Sequence, residues 1–130
     1  MTLFCFSSLG LAKDELFEQG RAVYDKVCST CHSYGPPPQK APPMIGISGH
    51  YHDAFTQRDQ AIAHMMDYIK KPAPEKSMLM PMAIQTWGLM APLTLPEKEL
   101  QAVTYWVWEI LNVECNQTPV LAPCRRLRKN

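Results

Sequence analysis

The sequence predicts an all-α domain in which about three main helices are joined by long proline-rich loops. Three observations carry this expectation. Apolar residues recur at helical spacing in three separate stretches, the connections between them lack the strict alternation of a half-buried strand, and twelve prolines stand against six glycines. At 130 residues the chain has material for one domain with one modest core.

The elements follow in order. The first twelve residues, MTLFCFSSLGLA, are apolar and uncharged, end in small residues at Gly10 and Ala12, and precede a charged start at Lys13. They read as an export signal segment clipped of its basic front, and are set aside from the fold. From Asp14, Leu16, Phe17, Gly20, Val23, Tyr24 and Val27 share helical spacing, with acids in the first turn where the helix dipole favours them, so a first helix is expected to end near Cys28. Residues 33–55 hold five prolines and the polar run SGHYHD without sustained periodicity, and are expected to form a long loop.

A second helix is predicted from Gln57 to Lys71. Thr56 and Asp59 resemble a capping box, Ile62, Met65, Met66 and Ile69 fall on one face, and Pro72 and Pro74 stop it. Residues 72–96 read as a second proline-rich loop, carrying Met78, Met80, Met82, Trp87 and Met90. Two loops of this length in so small a chain imply that they wrap something. The strongest helix is expected to start at Pro96, with Glu97 and Glu99 in its first turn and Leu100, Val103, Trp106, Val107, Ile110 and Leu111 as its apolar face. The resulting division is a signal segment at 1–12, a domain at 13–114 and a C-terminal extension at 115–130.

Lys plus Arg (13) nearly cancels Asp plus Glu (12), which argues against a nucleic-acid binder. Arg125, Arg126, Arg128 and Lys129 crowd the last six residues, leaving a mildly acidic body and a basic tail, which reads as a solvated end. Beyond the opening segment no stretch approaches the roughly 20 apolar residues needed to span a bilayer.

The chemistry is concentrated in Cys28-Ser29-Thr30-Cys31-His32. C-x-x-C-H is the spacing at which two thiols add to the two vinyl groups of haem while the adjacent imidazole reaches the iron. A thioredoxin-like redox pair would also use C-x-x-C, but expects a βαβ setting that this sequence lacks. A zinc site would need a second close-spaced ligand pair, and Cys115 and Cys124 are not spaced as a metal knuckle.

With that motif in place, residues 14 to 112 resemble a small bacterial class I, mono-haem c-type cytochrome. The resemblance implies a cytochrome c-like fold around one covalently bound haem c. In that family a glycine, with an aromatic four residues on, lies where the N-terminal helix crosses the C-terminal one. Gly20 and Tyr24 match, with Trp106 as their implied partner and Leu100 and Val103 nearby. Ala41-Pro42-Pro43-Met44-Ile45-Gly46 is similar to the family segment whose proline carbonyl accepts the proximal histidine Nδ1 proton, which assigns that role to Pro42 and makes His32 the proximal ligand. Met44 departs from the usual leucine by a near-isosteric change.

The resemblance further implies a distal methionine on the loop before the last helix. Trp87-Gly88-Leu89-Met90-Ala91-Pro92 is similar to the family's W-G…M-P-P loop, so Met90 is the first choice for the iron and Trp87 the implied hydrogen-bond partner of a haem propionate. Met80, followed by Pro81, is the second choice but lies ten residues farther from the helix. Met78 and Met82 read as soft packing around the porphyrin edge. His50, His52 and His64 are bis-histidine alternatives, with His50 and His52 expected on a surface loop and His64 partly exposed on the second helix.

Cys115 and Cys124 bracket NQTPVLAP, and export to an oxidising compartment predicts a disulfide between them that contributes roughly 2–3 kcal/mol by closing a short loop. The basic run after Cys124 argues against deep burial there. The function these readings imply is periplasmic outer-sphere electron transfer between redox protein partners, with His/Met-ligated haem iron cycling between Fe(III) and Fe(II) and no substrate transformed. The alternatives are the electron-accepting subunit of a periplasmic dehydrogenase, whose catalytic chain would then be a partner, and a haem sensor with an open sixth position.

Overall fold

A computed structural model describes residues 8–121 and 123–127. The front of the expected signal segment, residues 1–7, and Arg128 and Lys129 of the basic tail lie outside the described residues. The regular elements of the described residues are all helices, with an isolated bridge between His32 and Ala41 in place of any strand.

Helix α1 spans Ser8–Val23 and widens into a π turn over Tyr24–Cys28. It therefore starts six residues before the expected Asp14, and its first turn holds no acid. Leu9, Leu11 and Ala12 are good helix formers and the helix extends back through them and past Gly10, with Leu11 left exposed rather than packed.

Helix α2, Met44–Ala54, corrects the expectation of a loop over 33–55. Gly46, Ser48 and Gly49 lower its intrinsic helicity, and tertiary contact supplies what propensity does not. Met44, Ser48 and Tyr51 share a buried face, the Ser48 hydroxyl donates to the Trp108 carbonyl at 3.4 Å, and the His52 ring stacks on Trp108 with centroids 3.7 Å apart.

Helix α3 runs Arg58–Lys70 and buries Ala61 and Met65, close to expectation. Its N-cap is Gln57 with no side-chain capping bond, so the Thr56–Asp59 capping box does not form. Residues 72–96 are also more ordered than a plain loop. They contain a 3₁₀ turn at Pro74–Lys76 and a short helix α4, Pro81–Trp87, started by Pro81 at its first position. Gly88, at φ 80°, ends α4 in a conformation that a side chain would strain. The chain beyond it is tied to α3 by Leu93 N–H donating to the Ile69 carbonyl at 3.0 Å.

Helix α5, Glu97–Gln117, is the longest element, with Pro96 as its N-cap rather than inside its first turn. It buries Leu100, Val103, Trp106, Val107, Ile110 and Leu111 as predicted, and packs against α1, α2 and α3 in turn. The crossing with α1 is close because residue 20 lacks a side chain. A Cβ there would overlap the Ala102 carbonyl oxygen and come within 2.5 Å of Trp106 Cβ. Four residues on, the Tyr24 ring stacks on Trp106 at 4.6 Å with an interplanar angle of 22°.

The expected boundary between residues 114 and 115 falls inside α5, so Cys115 belongs to that helix and not to an extension after it. Cys115 is disulfide-bonded to Cys124, S–S 2.00 Å, at the start of the short helix α6, Cys124–Leu127. Cys124 is 1% exposed, against the expectation of a superficial site, because α6 folds back onto α2 and α5.

Candidate functional site

The site is built where the end of α1 meets the long connections. In the wound turn after the π segment, Cys31 N–H donates to the Cys28 carbonyl at 3.1 Å and His32 N–H to the same carbonyl at 2.9 Å. This brings Cys28, Cys31 and His32 to one cavity of about 350 Å³, inside the range of about 300–1,000 Å³ common for cofactor pockets. Its walls come from the π turn, α2, α3, α5 and the segment from Ser77 to Leu95. The lining is largely apolar, including Ile47, Tyr51, Met65, Leu79, Val103 and Val107, with Lys40 as a charged member.

His32 is held at both ends. Nδ1 and the Pro42 carbonyl oxygen are 2.7 Å apart, and since a carbonyl can only accept, Nδ1 carries the proton and Nε2 the free lone pair. The Tyr24 hydroxyl donates to the His32 carbonyl at 3.0 Å. Burial, then the nearby Asp25 and Cys28, raise the Tyr24 pKa, so the hydroxyl keeps its proton. Met44 N–H donates to the Ser33 carbonyl and Ile45 N–H to the Tyr34 carbonyl, pinning the following loop to the start of α2.

Cys28 and Cys31 are free thiols, the first partly buried and the second exposed. Burial pushes the Cys28 thiol up to about 11. The redox-pair alternative is disfavoured because the described residues form no strand, and so no βαβ setting, around the pair. A zinc site drawing on Cys115 or Cys124 is disfavoured too, because those two are bonded to each other. Two free thiols in a C-x-x-C turn, an imidazole with Nε2 unengaged by Pro42, and an apolar cavity are a donor set that fits a covalently attached haem.

Among the residues expected at the site, Cys28, Cys31, His32, Pro42, Trp87 and Met90 line this one cavity. Met80 does not, being 64% exposed, and Met82 is 66% exposed on α4. Met78 does line it, and packs against the core. The three remaining histidines stand outside the lining. His50 and His52 lie on α2, not on a surface loop, and His52 Nε2–H donates to the Trp108 carbonyl at 2.9 Å. His64 Nδ1 and the Tyr51 hydroxyl are hydrogen-bonded at 3.0 Å, while burial raises the Tyr51 pKa and lowers that of His64.

Sequence reasoning missed Lys40, Tyr51 and the Tyr24 hydroxyl. For Tyr51 a signal was present: Met44, Ile47, Tyr51 and Phe55 are spaced as one face of a helix. For the Tyr24 bond to His32 there was none, since it depends on the winding of the turn.

A family model described as "Cytochrome c" matches residues 17–110 of the chain. A relative from Aquifex aeolicus (strain VF5), described as an uncharacterized protein, is 32% identical over 112 residues, covering 72% of this chain and 74% of its own. No solved structure matches.

Proposed function

The chain belongs to the cytochrome c family, and we propose that it is a periplasmic electron carrier in which His32 and Met90 bind opposite faces of the haem iron. The family's covalently attached haem c supplies one-electron Fe(III)/Fe(II) chemistry when bound. The observation that carries the reading is that His32, Met90, Cys28 and Cys31 border one apolar cavity while Met80 stands in solvent.

The chain's own residues then have distinct tasks. Cys28 and Cys31 attach the group through thioether bonds, and the Pro42 carbonyl fixes the tautomer that leaves His32 Nε2 free to ligate. Met90 offers a soft thioether, which favours the ferrous state. Trp87, at the same wall, would offer its indole N–H to a propionate. Apolar side chains from α2, α3 and α5 exclude water, so that little rearranges when an electron arrives. Were His32 and Met90 both to hold the iron, no position would be left for a substrate, as a carrier requires and an enzyme or a ligand sensor does not. The Cys115–Cys124 disulfide supports an oxidising compartment.

The test is the weak long-wavelength sulfur-to-ferric-iron band in haem-loaded protein. Met90→Ala is expected to abolish it and Met80→Ala to leave it intact. A band that survives Met90→Ala moves the ligand to another methionine, and its absence from the native protein overturns His/Met ligation. The disulfide that ties Arg125 and Arg126 to the end of α5 favours a second reading, the electron-accepting subunit of a periplasmic dehydrogenase. Copurification with a catalytic chain decides between a subunit and a free shuttle.

A further inference from the structure

We propose that the Tyr24 hydroxyl is a positioning group for His32, fixing the main chain of the ligand while Pro42 fixes its ring. The inference rests on the reading of His32 as an iron ligand. Packing alone does not call for a hydroxyl at position 24. The ring stacks on Trp106, which is 2% exposed, and a phenylalanine would fill that space equally well. The hydroxyl reaches past the packed face to the His32 carbonyl at 3.0 Å. That carbonyl lies just beyond a helical turn whose own bonds end at Cys28, where the chain must find donors outside the helix.

The π turn makes the reach possible. Ser29 N–H bonds back five residues to the Tyr24 carbonyl at 2.9 Å, so the chain is wound wider over 24–28 than an α-helix. Tyr24 opens this turn, and the turn returns His32 to it. His32 is then held at two points, its carbonyl by Tyr24 at 3.0 Å and its Nδ1–H by Pro42 at 2.7 Å. Two anchors on either side of the side-chain torsions restrict rotation of the imidazole plane, as outer-shell partners of a metal ligand do. Through Trp106 the same anchor joins the ligand to the α1–α5 crossing.

Tyr34 provides a matched control. Its ring tilts against the same Trp106 at 6.0 Å, and its hydroxyl donates to Glu114 at 2.6 Å, so Tyr34→Phe removes a hydrogen bond beside the crossing without touching His32. In ¹⁵N-histidine-labelled, haem-loaded ferrous protein, Tyr24→Phe is expected to speed solvent exchange of the His32 Nδ1 proton by about fivefold, the size of losing one ordinary hydrogen bond. Tyr34→Phe is expected to leave that rate unchanged. An unchanged rate in Tyr24→Phe, or equal acceleration in both variants, overturns the proposal. The wild-type protein gives an independent check, because the Tyr24 hydroxyl proton should exchange slowly enough to be observed, and one too fast to detect contradicts the bond. If the His32 ring protons lack the upfield shifts of a group stacked over haem, the ligand assignment fails and this inference with it. Shifted ring protons with an unaltered exchange rate sink the positioning role alone.

Discussion

The α1–α5 crossing and the segment from Pro74 to Pro96 flank the same cavity and are stabilised by different means. At the crossing, Val23, Tyr24, Val103 and Trp106 are buried against one another, and the bare backbone at Gly20 lets the helices touch. In the segment, neither the 3₁₀ turn nor α4 buries a residue, and Met80, Met82 and Leu89 face solvent. Prolines at 74, 81, 92 and 96 restrict the unfolded chain, so stiffness there is gained by limiting alternatives more than by adding contacts. One wall is fixed by packing within the chain. The other is a stiffened strap whose inward side chains Met78, Ile84, Trp87 and Met90 face the cavity.

This contrast predicts where substitutions are costly. Trp106→Ala removes the ring between Tyr24 and Tyr34 and should destabilise the haem-loaded protein by about 3–5 kcal/mol, read from the urea midpoint. A loss near 1 kcal/mol would mean that the crossing is less decisive than its burial implies. A smaller effect is expected from pH. Burial lowers the pKa of His52 and of His64, so the unfolded chain binds more protons than the folded one below the ordinary histidine value of about 6.5. Stability should therefore be full above that value and fall as pH drops from it towards the folded-state values. His52→Gln should flatten the decline, measured as melting temperature against pH. On the strap side, Met80→Gln should change stability by no more than about 0.5 kcal/mol, the ordinary result for an exposed position.

The same contrast explains what the sequence could reveal. C-x-x-C-H is local chemistry, legible because the spacing itself sets the thiol and imidazole geometry. Helix α5 was legible because its apolar periodicity persists from Leu100 to Leu111. Helix α2 was hidden because Gly46, Ser48 and Gly49 are poor helix formers, and its order comes from Trp108, some sixty residues away. Helix α4 was hidden by its seven-residue length and by prolines that read as loop when one of them in fact starts the helix. The exposure of Met80 and the inward place of Met90 are tertiary facts. The loop's likeness to a family pattern ranked the two methionines, but residue spacing could not.

The central claim is that His32 and Met90 take the two faces of the haem. Its most direct test is the spectrum of haem-loaded, ferrous protein carrying ¹³C-methyl methionine. The account predicts one methionine methyl shifted far upfield by the porphyrin ring current, and loss of that resonance in Met90→Ala with the other methyls little changed. A shifted methyl that survives Met90→Ala, or that disappears instead in Met78→Ala or Met80→Ala, would contradict it.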